Sequence, residues 1–538
     1  MKHRYWLSLL SAAHLLSAQD IAPPVPCPAQ EAPAASPELH ALVIMQQPAA
    51  PGDFAEYCGV MSDVLPTTVL QDLEVQFLGK PVSKPMLEEI RKQVLEALAA
   101  KQEFALRAFY PEQDISSGVV VMQIAFPTTA EVEVKGNEWQ SPEVYKQALG
   151  LSPGDPLDIP QVLTNTAWFN RNPFHFAEVV LSPASQEGSV NVDFLVKDRW
   201  IFRPFVGMDN TGTDVTMETR WYAGCTWGKP FGRNDVLTYQ YISAPDPRRF
   251  YSHNGSYLMF LPNKQELLFF GGFSKCHPDI PHFTQEGITT QASFRHTIPV
   301  SALYKGAQNS FSWGLDYKNM NSNVFFAEIS PTIPVITHQV NLSQFYFSFT
   351  RQDRFLAKVE MMISPCKMLP HESDVRYNAL RPDATAQYVY AKVSLSDSYG
   401  SKDKGYVSWT ARAQAASGPL LPSEQFALGG YDTVRGYLER DYLADNAFCL
   451  NVELHMPKLG FTKKDELLFL AFTDVGVGYN HESEQSTQTS QHLWSVGPGL
   501  RYRVGPYFNV RADYGFQLHH IFDQNAFGRF HLGGSLSY

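Results

Sequence analysis

The sequence predicts a transmembrane β-barrel of about 16 antiparallel strands, preceded by two small α+β domains. From Trp200 to Tyr538 apolar and polar residues alternate with period two, and no helical pattern remains. Aromatic residues make up 13% of the chain and charged residues only 18%, as in barrels with aromatic girdles and a polar lumen. After the N-terminus no run of ~20 consecutive apolar residues occurs, which excludes a membrane-spanning helix.

The N-terminus has the pattern of an export signal. Lys2 and Arg4 precede an apolar run at 6–16, and Leu-Ser-Ala at 16–18 offers a small-residue cleavage site. A buried amphipathic helix is the alternative, but Pro-rich sequence follows at once. We therefore predict a signal peptide at 1–18. An exported chain without a spanning helix can enter a membrane only as a closed barrel.

Residues 19–68 are rich in Pro and Ala, which predicts an extended linker, with a short helix at 37–47 as an alternative. Six cysteines lie far apart without a C-x-x-C pair, so neither a metal nor redox chemistry is expected. Cys27 and Cys58 share the linker, and a disulfide between them is conceivable. Unpaired cysteines are the favoured interpretation.

Two α+β domains follow, at 69–127 and 128–198. In the first we expect a short strand containing Val75 and Phe77, then a helix at 84–101 whose apolar residues recur near 3.6 spacing. The remaining strands of this domain are predicted at 104–109 and 119–126. The second domain repeats the order, with a strand at 131–134, helices at 142–149 and 159–170, and strands at 177–183 and 189–196. Each domain is long enough for a modest core of its own.

The barrel is predicted at 199–538, and its alternation is clearest at 494–504 (WSVGPGLRYRV). We place strands at 200–209, 214–226, 234–243, 253–261, 265–274, 286–297, 309–320, 339–350, 354–364, 385–396, 404–416, 446–456, 465–479, 492–503, 507–518 and 527–538. Short turns at one end contrast with long loops at the other, at 321–338, 365–384 and 417–445. A soluble β-sandwich is the alternative, but this one-sided distribution of long loops favours the barrel.

The loop at 417–445 carries Thr-Val-Arg-Gly-Tyr at 433–437, and Phe-Thr-Asp-Val-Gly follows at 472–476. The alternation of that later strand points Asp474 away from lipid. An arginine on a loop and an aspartate on an inner wall predict a loop that folds into a pore and is latched by a bidentate ion pair. A solvated loop arginine is the alternative. The candidate latch residues are Val434, Arg435, Gly436, Tyr437, Phe472, Asp474 and Gly476.

The last strand ends in an aromatic residue. Apolar residues occupy alternate positions and small or polar residues lie between them, so the apolar set should face lipid. The final ring would lie at a membrane interface. By resemblance to outer-membrane barrels generally, such a strand is also the signal that the insertion machinery reads. The candidate signal residues are Phe530, Leu532, Leu536 and Tyr538.

Enzyme signatures are missing from the sequence. Neither a G-x-S-x-G nor an H-E-x-x-H motif occurs, and the histidines at 277, 282, 519 and 520 are scattered over the barrel region. A net charge of −11 argues against a nucleic-acid partner. We expect neither enzymatic activity nor a cofactor.

Five segments resemble one family: FYPEQDISSGVVVMQI (109–124), WFNRNPFHFAEVVLSP (168–183), VGMDNTGTDVTMETR (206–220), LGGYDTVRGYLERD (428–441) and FTDVG (472–476). In this order they resemble two-partner secretion (type Vb) outer-membrane transporters of the haemolysin/filamentous-haemagglutinin secretion type. These belong to the superfamily of barrels bearing POTRA (polypeptide-transport-associated) domains. Three departures occur: Thr216-Met217 replaces the usual Thr-Gly, Tyr538 replaces a terminal Phe, and no counterpart of the family's N-terminal plug helix precedes Val69.

The resemblance implies a pore in the outer membrane of a Gram-negative-type bacterium that exports one large partner protein without ATP. The POTRA-like domains would capture the unfolded partner in the periplasm, where an extended chain can add to a strand edge. The further partners implied are outer-membrane lipids and the barrel-assembly machinery. The candidate capture strand comprises Phe104, Ala105, Leu106, Arg107, Ala108 and Phe109. An assembly factor that inserts other barrels is the first alternative, and a passive porin or an outer-membrane enzyme is the second.

Overall fold

The computed structural model describes residues 37–46, 51–54, 56–100, 107–125, 127–185, 189–280, 283–300, 308–326, 333–353, 355–365, 368–462, 464–481, 490–521 and 527–538. They form two units, of which the first ends at Arg199 and the second runs from Trp200 to Tyr538. The predicted signal peptide lies outside the described residues.

The first domain is a sheet covered by two helices. Its elements are β1 (Ala41–Met45), β2 (Gly59–Ser62), α1 (Thr67–Phe77), α2 (Lys84–Ala100), β3 (Arg107–Phe109) and β4 (Val119–Ala125). In the described part of the domain the strand order is β2-β1-β4-β3. Strand β1 is parallel to both of its neighbours, whereas β3 is antiparallel to β4. Apolar residues of α2, such as Ile90 and Val94, are buried in the core with Leu42 and Met122.

Two predictions for this region are wrong. Strands β1 and β2 lie inside the predicted linker, so the domain begins near residue 37 rather than at 69, and the alternative helix at 37–47 is also replaced by a strand. The Pro/Ala-rich composition conceals Leu42, Val43 and Ile44, which are all buried. Cys58, immediately before β2, is disulfide-bonded, so the expectation of unpaired cysteines is wrong for this residue.

The predicted strand around Val75 is also wrong, because these residues belong to helix α1. Val75 and Phe77 suggest alternation, but Leu73 and Phe77 are four residues apart and are the two buried residues of the helix. Val75 itself is 88% exposed.

The turn Pro-Glu-Gln at 111–113 in the first domain has a clear structural role. The side-chain amide of Gln113 donates to the carbonyl of Val121 at 2.7 Å and its oxygen accepts from the Val121 N–H at 2.7 Å. The Gln113 side chain therefore forms the same two hydrogen bonds with β4 that the backbone of a neighbouring strand would form.

The second domain confirms the predicted β-α-α-β-β order. Its elements are β5 (Thr128–Lys135), α3 (Pro142–Leu149), α4 (Ile159–Phe169), β6 (His175–Pro183) and β7 (Ser189–Asp198). The sheet order in the described residues is β5-β7-β6, with β5 parallel and β6 antiparallel to the central β7. None of the helices in the described ranges is both long and apolar enough to cross a membrane.

The second unit is a closed antiparallel barrel, as predicted. Its strands are β8 (Phe202–Asp209), β9 (Arg220–Gly228), β10 (Val236–Ser243), β11 (Phe250–Phe260), β12 (Glu266–Cys276), β13 (Asp279–Ile280), β14 (Phe283–Pro299), β15 (Gln308–Phe326), β16 (Ile333–Gln352), β17 (Leu356–Pro365), β18 (Gln387–Ser401), β19 (Gly405–Ala416), β20 (Phe426–Leu428), β21 (Tyr442–Ala444), β22 (Asn446–His455), β23 (Asp465–Tyr479), β24 (Ser490–Val504), β25 (Phe508–Gln517) and β26 (Gly528–Ser537). In the described chain 16 of these close the barrel, β26 pairing with β8. Strand β13 is a short extension on β14, and β20 and β21 form a separate hairpin.

The end of the barrel at which β8 begins is called the near end, and the other the far end. Connections at the far end include the segment between β17 and β18, which carries helix α5 (Asp374–Leu380), and the segment 417–445 between β19 and β22, called the long loop. The predicted loop 321–338 is shorter than expected, because β15 extends to Phe326 and β16 begins at Ile333.

The predicted strand 214–226 begins later than expected, because Asp214–Thr216 forms a 3-10 turn. After this turn Met217 adopts φ +67°, in the region of positive φ that favours glycine. The Thr-Gly usual in the family would fit this backbone without strain.

Candidate functional site

The long loop folds back into the barrel lumen. Its base is the hairpin β20–β21, and residues between these strands bond to side chains near the middle of β23, β25 and β26. These side chains face inward, because the residues that alternate with them along the strands, such as Val477 and Phe516, are exposed on the outside.

Arg435 is the centre of these contacts and is almost fully buried. Its Nε donates to Oδ2 of Asp474 at 2.7 Å, and its Nη2 donates to Oδ1 at 2.8 Å. The backbone N–H of Arg435 also donates to Oδ2, at 3.1 Å. The structure thus brings the two residues together in a bidentate, charge-assisted pair.

Four further charged groups complete an ionic cluster around this pair. Nη1 of Arg435 donates to Glu453 at 2.7 Å and lies 3.6 Å from Asp513. Asp513 is bound in turn by Arg501 at 2.6 Å and by Arg511 at 2.7 Å. The ionic cluster is therefore Arg435, Arg501, Arg511, Glu453, Asp474 and Asp513, in which three cations balance three carboxylates.

This balance explains how the charge of Arg435 tolerates burial. Burial alone would lower the pKa of the guanidinium, but the hydrogen bonds to Asp474 and the nearby carboxylates raise it above its usual value. The guanidinium carbon also lies 3.5 Å from the centroid of the Phe472 ring, a cation–π contact. Arg435 stays charged in this site.

Gly436 and Tyr437 fix the backbone next to the arginine. The N–H of Gly436 donates to Nε2 of His531 at 2.9 Å, and its carbonyl accepts from Gln517 at 2.7 Å. Gly436 has φ +94°, and a Cβ there would lie 2.8 Å from the carbonyl oxygen of Gly515. The buried Tyr437 hydroxyl donates to the carbonyl of His519. Gly436 and Tyr437 therefore allow the long loop to lie close against the barrel wall.

Val434 packs against a glycine on the wall. A Cβ at Gly476 would lie 2.8 Å from Cγ2 of Val434 and 2.9 Å from Leu428. All seven predicted latch residues thus meet at this face of β23 or next to it. The sequence did not reveal that Glu453, Asp513 and His531 would converge on the same loop.

The candidate capture strand is only partly described. Phe104, Ala105 and Leu106 lie outside the described residues, while Arg107, Ala108 and Phe109 form β3, the last strand on its side of the sheet in the described part of the domain. Ala108 is buried and so belongs to the core. A second edge strand, β6, was not considered from the sequence; it is longer and exposes Phe176 and Val180.

The four candidate signal residues lie on the outside of the barrel. Phe530, Leu532 and Leu536 are exposed along β26, and Tyr538 is 67% exposed. The Tyr538 ring packs edge-on against Trp200 with centroids 5.0 Å apart, and its N–H donates to Pro204 at 3.1 Å. The final residue is thus tied to the start of the barrel.

A closed 16-stranded barrel with an arginine-bearing loop bound in its lumen, preceded by two small α+β domains, defines the class of POTRA-bearing outer-membrane barrels. The profile of the family described as haemolysin secretion/activation protein ShlB/FhaC/HecB matches residues 188–502, more than half of the chain. The chain belongs to this family. It is a two-partner secretion transporter of the outer membrane, with POTRA domains in the periplasm.

The relatives agree with this assignment. The chain is 24% identical to the outer membrane transporter CdiB of Dickeya dadantii over 420 residues, covering 73% of this chain and 70% of the relative. It is 22% identical to CdiB of Escherichia coli O6:K15:H31 over 424 residues, covering 73% and 67%.

Solved structures show the same fold at lower identity. CdiB from Escherichia coli superposes with a TM-score of 0.75 at 15% identity, covering 96% of this chain and 93% of the other. CdiB from Acinetobacter baumannii gives 0.64 at 16% identity, covering 95% and 93%. BamA from Haemophilus ducreyi gives 0.51 at 13% identity, covering 88% and 97%.

Proposed function

We propose that this transporter binds one large, unfolded partner protein in the periplasm and exports it through the barrel without ATP. The observation that carries the proposal is the ionic cluster, which holds the long loop in the lumen through discrete, exchangeable contacts. A loop held in this way closes the pore at rest and can be displaced.

The chemistry of the ionic cluster suits reversible closure. Displacing the loop requires exchange of hydrogen bonds and ion pairs with water or with an incoming chain, and no covalent step. Binding of the partner can supply the free energy for this exchange, because a ligand shifts a two-state equilibrium by its differential affinity for the two states. Hydrolysis of a nucleotide is then unnecessary.

Another part of the inner wall suits passage of an extended chain. Strands β10, β11, β12 and β14 line a cavity of about 310 Å³, and none of its described lining side chains is charged. The side chains that face it are mostly small and polar, including Thr238, Gln240, Ser252, Asn254 and Ser274. Such a surface hydrogen-bonds weakly to many sequences and binds none of them tightly, as sliding requires.

Capture in the periplasm is assigned to strand edges of the POTRA domains. An unfolded chain can add to an edge strand by main-chain hydrogen bonds, largely independently of its sequence. Strand β3 is the first candidate, and β6 is the second because it is longer and partly apolar on its exposed face.

Deleting the gene and comparing proteins on the cell surface and in the medium tests the proposal. We expect one large protein to disappear and to return when the wild-type gene is restored. A control measures the abundance of unrelated outer-membrane barrels, which should not change. A general fall in those barrels would favour an assembly factor, and an unchanged set of exported proteins would contradict the proposal.

A further inference from the structure

A second buried carboxylate of the long loop lies against a different arc of the barrel wall. Glu424 precedes the hairpin β20–β21, and its Oε1 lies 2.5 Å from Nζ of Lys318 on β15. Its Oε2 accepts from the Tyr390 hydroxyl on β18 at 2.6 Å and from the Gln344 amide on β16 at 3.2 Å. The ionic cluster around Arg435, in contrast, involves β22 to β25.

Because Glu424 is buried, the stability of its charge depends on this contact. Glu424 is 2% exposed, so its charge is stable only while its partners are in place. Ser423 supplies one more donor to Oε1 at 2.9 Å, and the side-chain amide of Gln414 donates to the Glu424 carbonyl at 3.1 Å. Both the carboxylate and the adjacent backbone are therefore held by the wall and the loop.

The wall residues that contact Glu424 are held in place by hydrogen bonds of their own. The Gln344 amide also donates to Asp316 at 3.1 Å, and its oxygen accepts from Tyr388 at 3.1 Å. Asp316 is paired with Arg295 at 2.8 Å. These bonds orient Gln344 toward the loop, so β14 to β18 present a preformed set of donors to the carboxylate of Glu424.

We propose that Glu424 and Lys318 form a second anchor, positioning residues that hold the first limb of the long loop while the ionic cluster holds its tip, between β20 and β21. The inference extends the proposed function, because it makes pore opening depend on release at two separate arcs of the wall. Removing either anchor leaves a loop that is still attached but opens more often.

The test uses the full-length protein in planar lipid bilayers, where no partner is needed. Glu424→Gln keeps the size of the side chain and one acceptor oxygen but removes the charge. We expect at least about a tenfold rise in the frequency of channel opening, since removing one member of a buried pair is strongly destabilising. Asp432→Asn is the matched control: its side chain is 80% exposed, so its 3.4 Å contact with Arg511 contributes little and the variant should stay close to wild type. Heat-modifiable migration on gels confirms that each barrel is folded.

A double-mutant cycle separates anchoring from a general packing defect. Lys318→Met should raise the opening frequency as Glu424→Gln does, and the double variant should not exceed the larger single effect, because both remove the same interaction. Trypsin cleavage after the buried Arg435 reports loop displacement independently. Wild-type opening and cleavage in Glu424→Gln would overturn the anchor, and so would independent, additive effects. If the anchor holds but gene deletion removes no exported protein, the proposed function fails and the anchor stands.

Discussion

Arg435 meets carboxylates from three strands, β22, β23 and β25, so a single side chain connects the loop to a broad arc of the wall. The connection depends on each charge having a partner. A buried carboxylate without its cation is far less stable than one exposed to water, which makes this residue the most sensitive point of the loop.

The first prediction concerns the ion pair between Arg435 and Asp474. Arg435→Ala leaves Asp474 buried without its bidentate partner, which should cost roughly 3–5 kcal/mol of loop docking. We expect export to fall while the barrel remains assembled, as measured by the amount of exported protein and by heat-modifiability. Arg440→Ala, at an exposed arginine of the same loop, is the control and should export normally. Wild-type export from both Arg435→Ala and Asp474→Ala would contradict the latch.

The second prediction concerns pH. Burial raises the pKa of the Glu439 carboxyl in the long loop to about 7, from an ordinary value of 4.5. The docked loop therefore holds a proton that the released loop gives up, so docking is favoured below about pH 4.5 and loses this contribution as the pH rises to about 7. Burial raises the pKa of Asp441 in the same direction.

We expect channel opening in bilayers to be more frequent at pH 8 than at pH 5.5. Glu439→Gln should reduce this dependence more than Asp432→Asn does, because burial is the main cause of the raised Glu439 pKa and the charge of Asp432 is a smaller one. An identical pH profile for Glu439→Gln and wild type would show that protonation of Glu439 does not control docking of the loop.

At the scale of elements, two edge strands of the POTRA domains have different character. Strand β3 has three described residues, one of them in the core, whereas β6 runs for nine residues from His175 to Pro183. A longer edge offers more main-chain groups to an extended chain.

The third prediction tests the edge of β3. Arg107→Pro removes a backbone donor from the outermost strand and blocks pairing there without necessarily unfolding the domain. We expect weaker binding of unfolded partner fragments, with circular dichroism unchanged. Met61→Pro on β2, at the other edge of the same sheet, is the matched control. Normal binding by a folded Arg107→Pro protein would refute capture at β3, and the same test on Val180→Pro would then examine β6.

At the scale of the whole molecule, the barrel closes along a short seam. Strand β26 pairs with β8 through five residue pairs, compared with nine between β25 and β26. Asn210 extends the seam with its side chain, which donates to the carbonyl of Phe530 at 2.6 Å and accepts from the N–H of Leu532 at 2.9 Å. The seam is therefore sensitive to loss of its last pairs.

The fourth prediction follows from this seam. Deleting residues 536–538 removes two of the five pairs and the Tyr538 contact with Trp200, and exposes backbone groups to lipid at several kcal/mol each. It also removes part of the proposed insertion signal. We expect the truncated chain to be degraded in the periplasm, as measured by its abundance in outer-membrane fractions. Normal amounts of a heat-modifiable protein there would show that the final residues are dispensable.

The barrel could be predicted from the sequence because its determinants are local. A strand with one face toward lipid and one toward a wet lumen must alternate, so each of the sixteen strands was found near its observed position. The pairing of Arg435 with Asp474 was also accessible, since a loop motif and an inward aspartate suffice to suggest it. The last strand followed from the same alternation.

Other features were decided by tertiary contacts. Strands β1 and β2 were hidden in a Pro/Ala-rich segment because short parallel strands have little periodicity, and only the pairing of β1 with β4 and of β2 with β1 reveals them. Helix α1 replaced the predicted strand because the core covers Leu73 and Phe77 together. The ionic cluster and the second anchor join residues from distant strands, as when Glu424 meets Lys318 across 106 positions. The sequence by itself determines which side chains face the lumen, but the closed barrel decides which of them meet, because closure brings strands far apart in the chain around one loop.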